Sequence, residues 1–282
     1  MPGTDQMAEL THAPGTRPAP QPLRWTPELV ARFWDGLAQA GLDDALAFGR
    51  MARRCIHWLI AKYLTPDGQH LDYGAGGGEV AEYLINQGFP FAVLEPSAER
   101  LARTTERLHG LPGFLGGGKP VAEQSYDAVT CFEVLEHILD ADWNRVCDEL
   151  AGHVRPGGVL IVSTPNDEDM RRDTVYCPVS NTCFHRWQHV RRISAATLTS
   201  AFAARGIRKL CAHQLDFVEG LFEPYLHMMG MADPPPREPG QPEEIVPLHI
   251  HWLLHDIDGV MGGASRLLYV GRKPAASVHA GG

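Results

Sequence analysis

The stretch Leu71-Asp72-Tyr73-Gly74-Ala75-Gly76-Gly77-Gly78-Glu79 decides how this chain is read. It stands at the end of an expected strand and the start of an expected helix, so its four glycines occupy a strand-to-helix turn. Glycines there let the main chain bend sharply and approach a ligand without Cβ interference, and the helix N-terminus offers free N–H groups. A dinucleotide fingerprint needs a further glycine at position 79, where this chain has Glu79, which counts against a nicotinamide-dependent oxidoreductase. Acids at 72 and 79 disfavour phosphates and suit a ligand that carries a sulfonium and an ammonium. Taken alone, such a run is also compatible with a plain tight turn.

Outward from the turn, short apolar runs alternate with amphipathic stretches, the pattern of βα units and a mostly parallel sheet. Strands are expected at His70–Tyr73, Phe91–Leu94, Tyr126–Phe132, Val159–Ser163, Ile207–Leu215 and Arg266–Val270. Helices are expected over Glu79–Gln87, closed by Gly88, and over Ala98–Leu108, capped by Ser97. Another shows one face at Trp143, Val146, Cys147, Leu150 and Val154, and a last one runs from the cap Ser194 to Gly206. Crossovers of this length predict an α/β fold with a doubly wound sheet. Glu95 closes the second strand, placed where a carboxylate accepts hydrogen bonds from the ribose hydroxyls of an adenosine.

Two helices are expected ahead of the sheet, within residues 23–64. Thr26-Pro27-Glu28 reads as a cap, a first-position proline and an early acid, and a second helix runs from about Asp43 to Leu64. Residues 1–22, with five prolines among small and polar residues, are expected to be a disordered tail. Residues 217–264 are too long for a hairpin and contain Pro234, Pro235, Pro236, Pro239 and Pro242. They are expected to form an insertion before the last strand, either a substrate cap or a surface loop of no function.

Among 282 residues, Lys and Arg number 25 and Asp and Glu 34, a net charge of −9. So acidic a chain has no general electrostatic reason to seek a nucleic acid or an anionic membrane, and the expected partner is a small molecule. Its 44% hydrophobic and 21% charged residues are ordinary for a globular protein. Six scattered cysteines and a start without a charged and apolar leader point to a reducing, cytoplasmic compartment. No apolar run reaches the roughly 20 residues of a membrane-spanning helix.

The strand Tyr126–Phe132 ends in Glu133-Val134-Leu135-Glu136-His137, at the sheet edge where ligands bind. If a helical turn begins there, Glu133, Glu136 and His137 share one face. Two carboxylates and an imidazole suit a divalent ion of the Mg²⁺ or Mn²⁺ kind, or act without metal. The plain reading is that the acids favour a helix N-terminus and His137 packs. Cys177, Cys183, His185 and His189 form an alternative zinc set at a non-standard spacing. The run Phe184-His185-Arg186-Trp187-Gln188-His189 also suits a substrate pocket with a histidine as general base. His249, His251 and His255 form a third cluster that no single element presents together, so packing or exposure explains it.

Over about residues 50–215 and the last strand, the chain resembles the class I S-adenosylmethionine-dependent methyltransferases. The resemblance is carried by Asp72-x-Gly74-x-Gly76-x-Gly78, Glu95, Tyr126-Asp127-Ala128-Val129 and Val154-Arg155-Pro156-Gly157-Gly158. It implies a Rossmann-like, seven-stranded sheet within one domain over 23–282. It also implies that Asp72, Gly74, Gly76 and Gly78 hold the methionine end of S-adenosylmethionine, with Glu95 on its ribose. After the third strand, Phe114-Leu115 leads into Gly116-Gly117-Gly118-Lys119, without the acid that often contacts adenine in that family.

The Glu-x-x-Glu-His segment, followed by Ser163-Thr164-Pro165-Asn166, is similar to two groups of O-methyltransferases. One serves ubiquinone biosynthesis, and the other methylates the terminal ribose of small RNAs. The second group implies a metal tetrad of Glu133, Glu136, His137 and His189, with His137 and His189 also the expected catalytic histidines. The expected reaction is transfer of a methyl to an oxygen of a small hydroxylated substrate. Nitrogen methylation and a non-catalytic cofactor-binding module are the alternatives.

Overall fold

The fold was obtained as a computed structural model, which describes residues 18–42, 48–118, 125–215, 253–261 and 264–276. Its chain order begins with a short strand β1 (Gln21–Pro22) and two helices, α1 (Pro27–Gln39) and α2 (Phe48–Ile60). Thr26 caps α1 by accepting from the Leu29 amide, with Pro27 in the first turn, as its sequence implied. The onset of the second helix at Asp43 lies outside the described residues. Of the expected tail, residues 18–22 are among those described, and Gln21–Pro22 pairs with Thr182–Cys183.

The βα alternation then follows: β2 (His70–Tyr73), α3 (Glu79–Asn86), β3 (Phe91–Leu94), α4 (Ala98–Leu108), β4 (Phe114–Gly117), β5 (Tyr126–Phe132), α5 (Trp143–His153) and β6 (Val154–Pro165). A hairpin, β7 (Thr174–Cys177) and β8 (Thr182–His185), precedes α6 (Ala195–Ala203), β9 (Arg208–Leu215), β10 (Gly259–Met261) and β11 (Arg266–Arg272). The main sheet has the order β10-β9-β11-β6-β5-β2-β3-β4. Six of these strands are those named from the sequence, and β4 completes the seven that the resemblance implied. Strand β11 alone among them runs antiparallel, between β6 and β9. The eighth, β10, is three residues of the expected insertion laid parallel on the β9 edge.

Both faces of the sheet are covered, which is why its strands read as nearly continuous apolar runs. Ala128, Val159, Ile161, Leu268 and Val270 face one way, into a core shared with α2 and α3. Their neighbours Val129, Leu160, Val162, Leu267 and Tyr269 face the other way, against α5 and α6. Period-two alternation therefore assigns consecutive residues to opposite cores.

Strand order reverses at β2, whose neighbours are β3 on one side and β5 on the other. The carboxyl ends of β2 and β5 thus flank the crevice where open α/β sheets bind ligands. The described part of the insertion does not border that crevice: Asp256 pairs with Lys62 and accepts from Tyr63, just beyond α2. The remainder of the insertion, with His249 and His251, lies outside the described residues, and His255 is exposed. Among the described residues, no helix is long and apolar enough to cross a membrane.

Candidate active site

The turn after β2 adopts backbone angles that demand glycine, with φ of +77° at Gly74 and +84° at Gly78. A Cβ on Gly74 would meet Val134 Cγ2 at 2.6 Å, and one on Gly78 would meet Thr104 Cγ2 at 2.7 Å. The loop is tied down from α4, where Thr104 Oγ1 donates to the Gly76 carbonyl at 2.6 Å. Glu95 accepts from the Gly76 amide at 3.0 Å through one oxygen and from the Ser97 amide at 3.1 Å through the other. Each carboxylate oxygen keeps further acceptor capacity, so the group can be both brace and ribose ligand.

Asp72 is buried beneath this turn and accepts from Thr130 Oγ1 at 2.9 Å. Burial pushes its carboxyl up to about 7; the Thr130 bond opposes the rise, and Glu79 and Glu95 add to it. Glu79 is itself paired with Arg107 at 2.6 Å. Asp72, Gly74, Gly76 and Gly77 line a cavity of about 410 Å³ that also meets Glu133, Glu136, His137 and His189. Glycine turn and acid-histidine segment therefore serve one space.

The segment after β5 is not the expected helical turn. Glu133 takes a left-handed conformation, φ +52°, and a 3-10 turn covers Leu135–His137. Glu133 consequently swings to the β6 and β11 side, where it accepts from Ser163 Oγ at 2.9 Å and lies 3.0 Å from Arg266 Nε. Glu136, His137 and His189 are the members of the expected tetrad whose ligand-type atoms lie within 4.8 Å of one another. Glu136 is 1% exposed and accepts from Thr164 Oγ1 at 3.2 Å through Oε2, while its Oε1 has no partner. His137 Nδ1 is likewise buried and unpartnered.

Burial, then the nearby Glu133, holds the Glu136 carboxyl well above the usual range. Burial and the neighbouring His189 bring the His137 imidazole down to about 3. The His137 imidazole is thus uncharged at neutral pH, and the same burial favours the protonated form of Glu136.

The zinc set does not assemble. Cys177 and Cys183 stand opposite Thr182 and Tyr176 across the hairpin, and the compact cluster around His185 and His189 takes Glu168 instead. Glu168 was not singled out from the sequence, although an acid just past a strand's carboxyl end is where a sheet of this type places functional groups. Its Oε2 accepts from His189 Nδ1 at 2.5 Å. Burial opposes its ionisation, but the contacts from His185 and His189 prevail and hold it well below the ordinary carboxylate range. Trp34 adds to the wall and is braced by Gln188. Trp34 Nε1 donates to Gln188 Oε1 at 3.1 Å, and Gln188 Nε2 donates to the His137 carbonyl at 3.1 Å.

A sheet wound in this order, with its glycine turn at the reversal, places the molecule in the class I S-adenosylmethionine-dependent methyltransferase fold. The chain belongs to the methyltransferase domain family, whose model matches residues 48–212. A ubiquinone biosynthesis O-methyltransferase of Sodalis glossinidius is 39% identical over 106 residues, 34% of this chain and 41% of that protein. The protein of the same name from Xanthomonas campestris pv. campestris (strain B100) is 33% identical over 148 residues, 49% of this chain and 58% of its own. The chain therefore spans about half the length of the curated relatives it matches.

Solved structures show the same fold at low identity. The [4+2]-cyclase SpnF aligns with a TM-score of 0.58 at 15% identity, covering 92% of this chain and all of that one. The 1,6-didemethyltoxoflavin-N1-methyltransferase of Burkholderia thailandensis, solved with S-adenosylhomocysteine, aligns with a TM-score of 0.55 at 13% identity, over 93% of this chain and 98% of its own. A cyclase and a methyltransferase on one sheet mean that the reaction has to be argued from the site.

Proposed function

We propose that this protein transfers a methyl group from S-adenosylmethionine to an oxygen of a small hydroxylated substrate, with His189 taking the hydroxyl proton. The observation that carries the reading is the commitment of His189 Nδ1 to Glu168 at 2.5 Å, on a ring that lines the same cavity as the glycine turn. A carboxylate accepts only, so Nδ1 bears the proton and Nε2 is left as the basic nitrogen.

The residues present fit the cofactor. Gly74 and Gly76 form a cradle that side chains would fill, Glu95 faces the turn, and Asp72 with Glu79 sets a negative field for a cationic group. When bound there, S-adenosylmethionine supplies a methyl on a positively charged sulfur that leaves as a neutral thioether. His189 Nε2 would accept the proton of the acceptor hydroxyl, which makes that oxygen nucleophilic. Glu168 carries the resulting imidazolium charge through Nδ1–H. Trp34 and Gln188 hold α1 over the cavity and limit water at the reacting atoms.

A second reading rests on the two orphaned atoms. Glu136 Oε1 and His137 Nδ1 are buried without partners beside His189, which suits a divalent cation of the Mg²⁺ or Mn²⁺ kind. Those three residues would hold it, and it would supply a positive charge that favours the deprotonated hydroxyl.

Substitution tests both readings. His189→Ala is expected to lower turnover by about 10²–10⁴-fold, with S-adenosylmethionine affinity by calorimetry within about twofold. Full turnover in this variant overturns the general-base reading. Glu136→Ala and exhaustive chelation abolish transfer if the cation takes part, and leave it intact if it does not.

A further inference from the structure

We infer that Glu168 is the positioning residue of His189, fixing the ring in the tautomer that presents a bare Nε2 to the cavity. The inference rests on the reading of His189 given above and extends it to a residue outside the expected site.

The geometry begins with the backbone. Past β6 the chain is pinned on both sides, the Asn166 amide donating to the Ser265 carbonyl at 3.0 Å and the Asp167 amide to the Ile193 carbonyl at 2.7 Å. Asn166 Nδ2 adds bonds to the Ala264 carbonyl at 2.9 Å and to Gln214 Oε1 at 3.0 Å. Asp167 takes φ +46°, a left-handed turn that Asp tolerates better than most residues. Glu168 is thereby delivered to the two histidines by a backbone tied down on both sides.

The second support is the neighbouring ring. His185 Nδ1 accepts from the amides of Trp187 at 3.4 Å and His189 at 3.3 Å, so the His185 proton is on Nε2. That nitrogen lies 3.4 Å from Glu168 Oε1, close enough for the charges to be felt but outside hydrogen-bond geometry. His185 also stacks on His189 with centroids 4.2 Å apart and planes 18° from parallel. The His189 ring is therefore held in its plane by His185 and in its rotation by Glu168. With His185 Nδ1 occupied by amides and its Nε2 protonated, the Glu168–His185–His189 cluster lacks the second free nitrogen that a metal centre would use. It is a hydrogen-bonded support.

The experiment is ¹⁵N-histidine NMR of the full chain, which reads the tautomer of each ring directly. The wild-type His189 is expected to show a protonated Nδ1 and a bare Nε2. Glu168→Leu removes the acceptor and should move the majority of His189 to the opposite tautomer, while Glu168→Gln, which keeps an acceptor oxygen, should restore the wild-type pattern. S-adenosylmethionine affinity by calorimetry stays within about twofold in both variants, since neither touches the glycine turn.

A wild-type His189 protonated at Nε2 overturns the inference without need of any variant, and so does a Glu168→Leu protein with an unchanged pattern. The wild-type tautomer as expected, in a protein that methylates no phenol or alcohol, removes the oxygen-acceptor reading and leaves Glu168 in its positioning role.

Discussion

At the scale of single residues, Asp72 makes the pH dependence of this protein specific. An acid whose folded value is raised from 3.8 to about 7 keeps a proton that the unfolded chain releases over that window. Stability therefore falls as pH rises from about 4 to about 7 and levels off above, by about 4 kcal/mol at most. Urea midpoints at pH 5 and pH 7.5 should show the loss, and Asp72→Asn should flatten it. A cationic cofactor beside Asp72 restores its ionisation, so binding of S-adenosylmethionine between those pH values releases a proton. Calorimetry in buffers of different ionisation enthalpy measures that release, and an unchanged apparent enthalpy would place the cation away from Asp72.

At the scale of elements, the glycine turn and the hairpin show what patterning reveals and what it hides. The turn was readable because its conformation leaves a local signature: Gly74 and Gly78 occupy angles that other residues avoid. Gly74→Ala combines positive φ with a contact at 2.6 Å from Val134. It is expected to cost about 1–3 kcal/mol of stability and to weaken S-adenosylmethionine binding at least about tenfold, read by thermal unfolding and calorimetry. Helix caps at Thr26, Ser97 and Ser194 were readable for the same local reason.

Strands β7 and β8 were not readable, because four-residue strands with exposed Val175 and Tyr176 carry too little alternation to stand out. The segment after β5 has a different shape from the one its spacing suggested. Two acids and a histidine spaced as on a helix face are instead split, Glu136 and His137 on a 3-10 turn and Glu133 left-handed ahead of it, with its side chain paired to Arg266, 133 residues away in sequence. Glu168 was hidden for a related reason: its partners lie 17 and 21 residues onward, at the end of and just past a hairpin with no sequence signature.

At the scale of the whole molecule, the sheet and the helix that covers the cavity are held in different ways, which follows from where the cores lie. Neither core draws a buried residue from α1, and the family match begins at residue 48, after that helix. Yet α1 supplies Trp34 and Leu37 to the cavity wall. Trp34 alone joins three elements, bonding Gln188, meeting the His137 ring edge-on at 4.9 Å and carrying the Arg100 guanidinium at 5.4 Å. Such a helix is attached through its site contacts rather than through bulk burial, so it belongs to the least stable part of the fold. Trp34→Ala and Gln188→Ala break the same link, and residues sharing one link are not additive. Each is expected to raise amide exchange in α1 about tenfold while global unfolding moves little, and the double variant should exchange no faster than the faster single one. The acceptor KM should rise in parallel while that of the cofactor changes less, because the glycine turn and Glu95 lie on the sheet side. Additive exchange effects, or protection of α1 unchanged in both single variants, would show that the helix is held by something other than the Trp34–Gln188–His137 chain and that closure over the site is not its role.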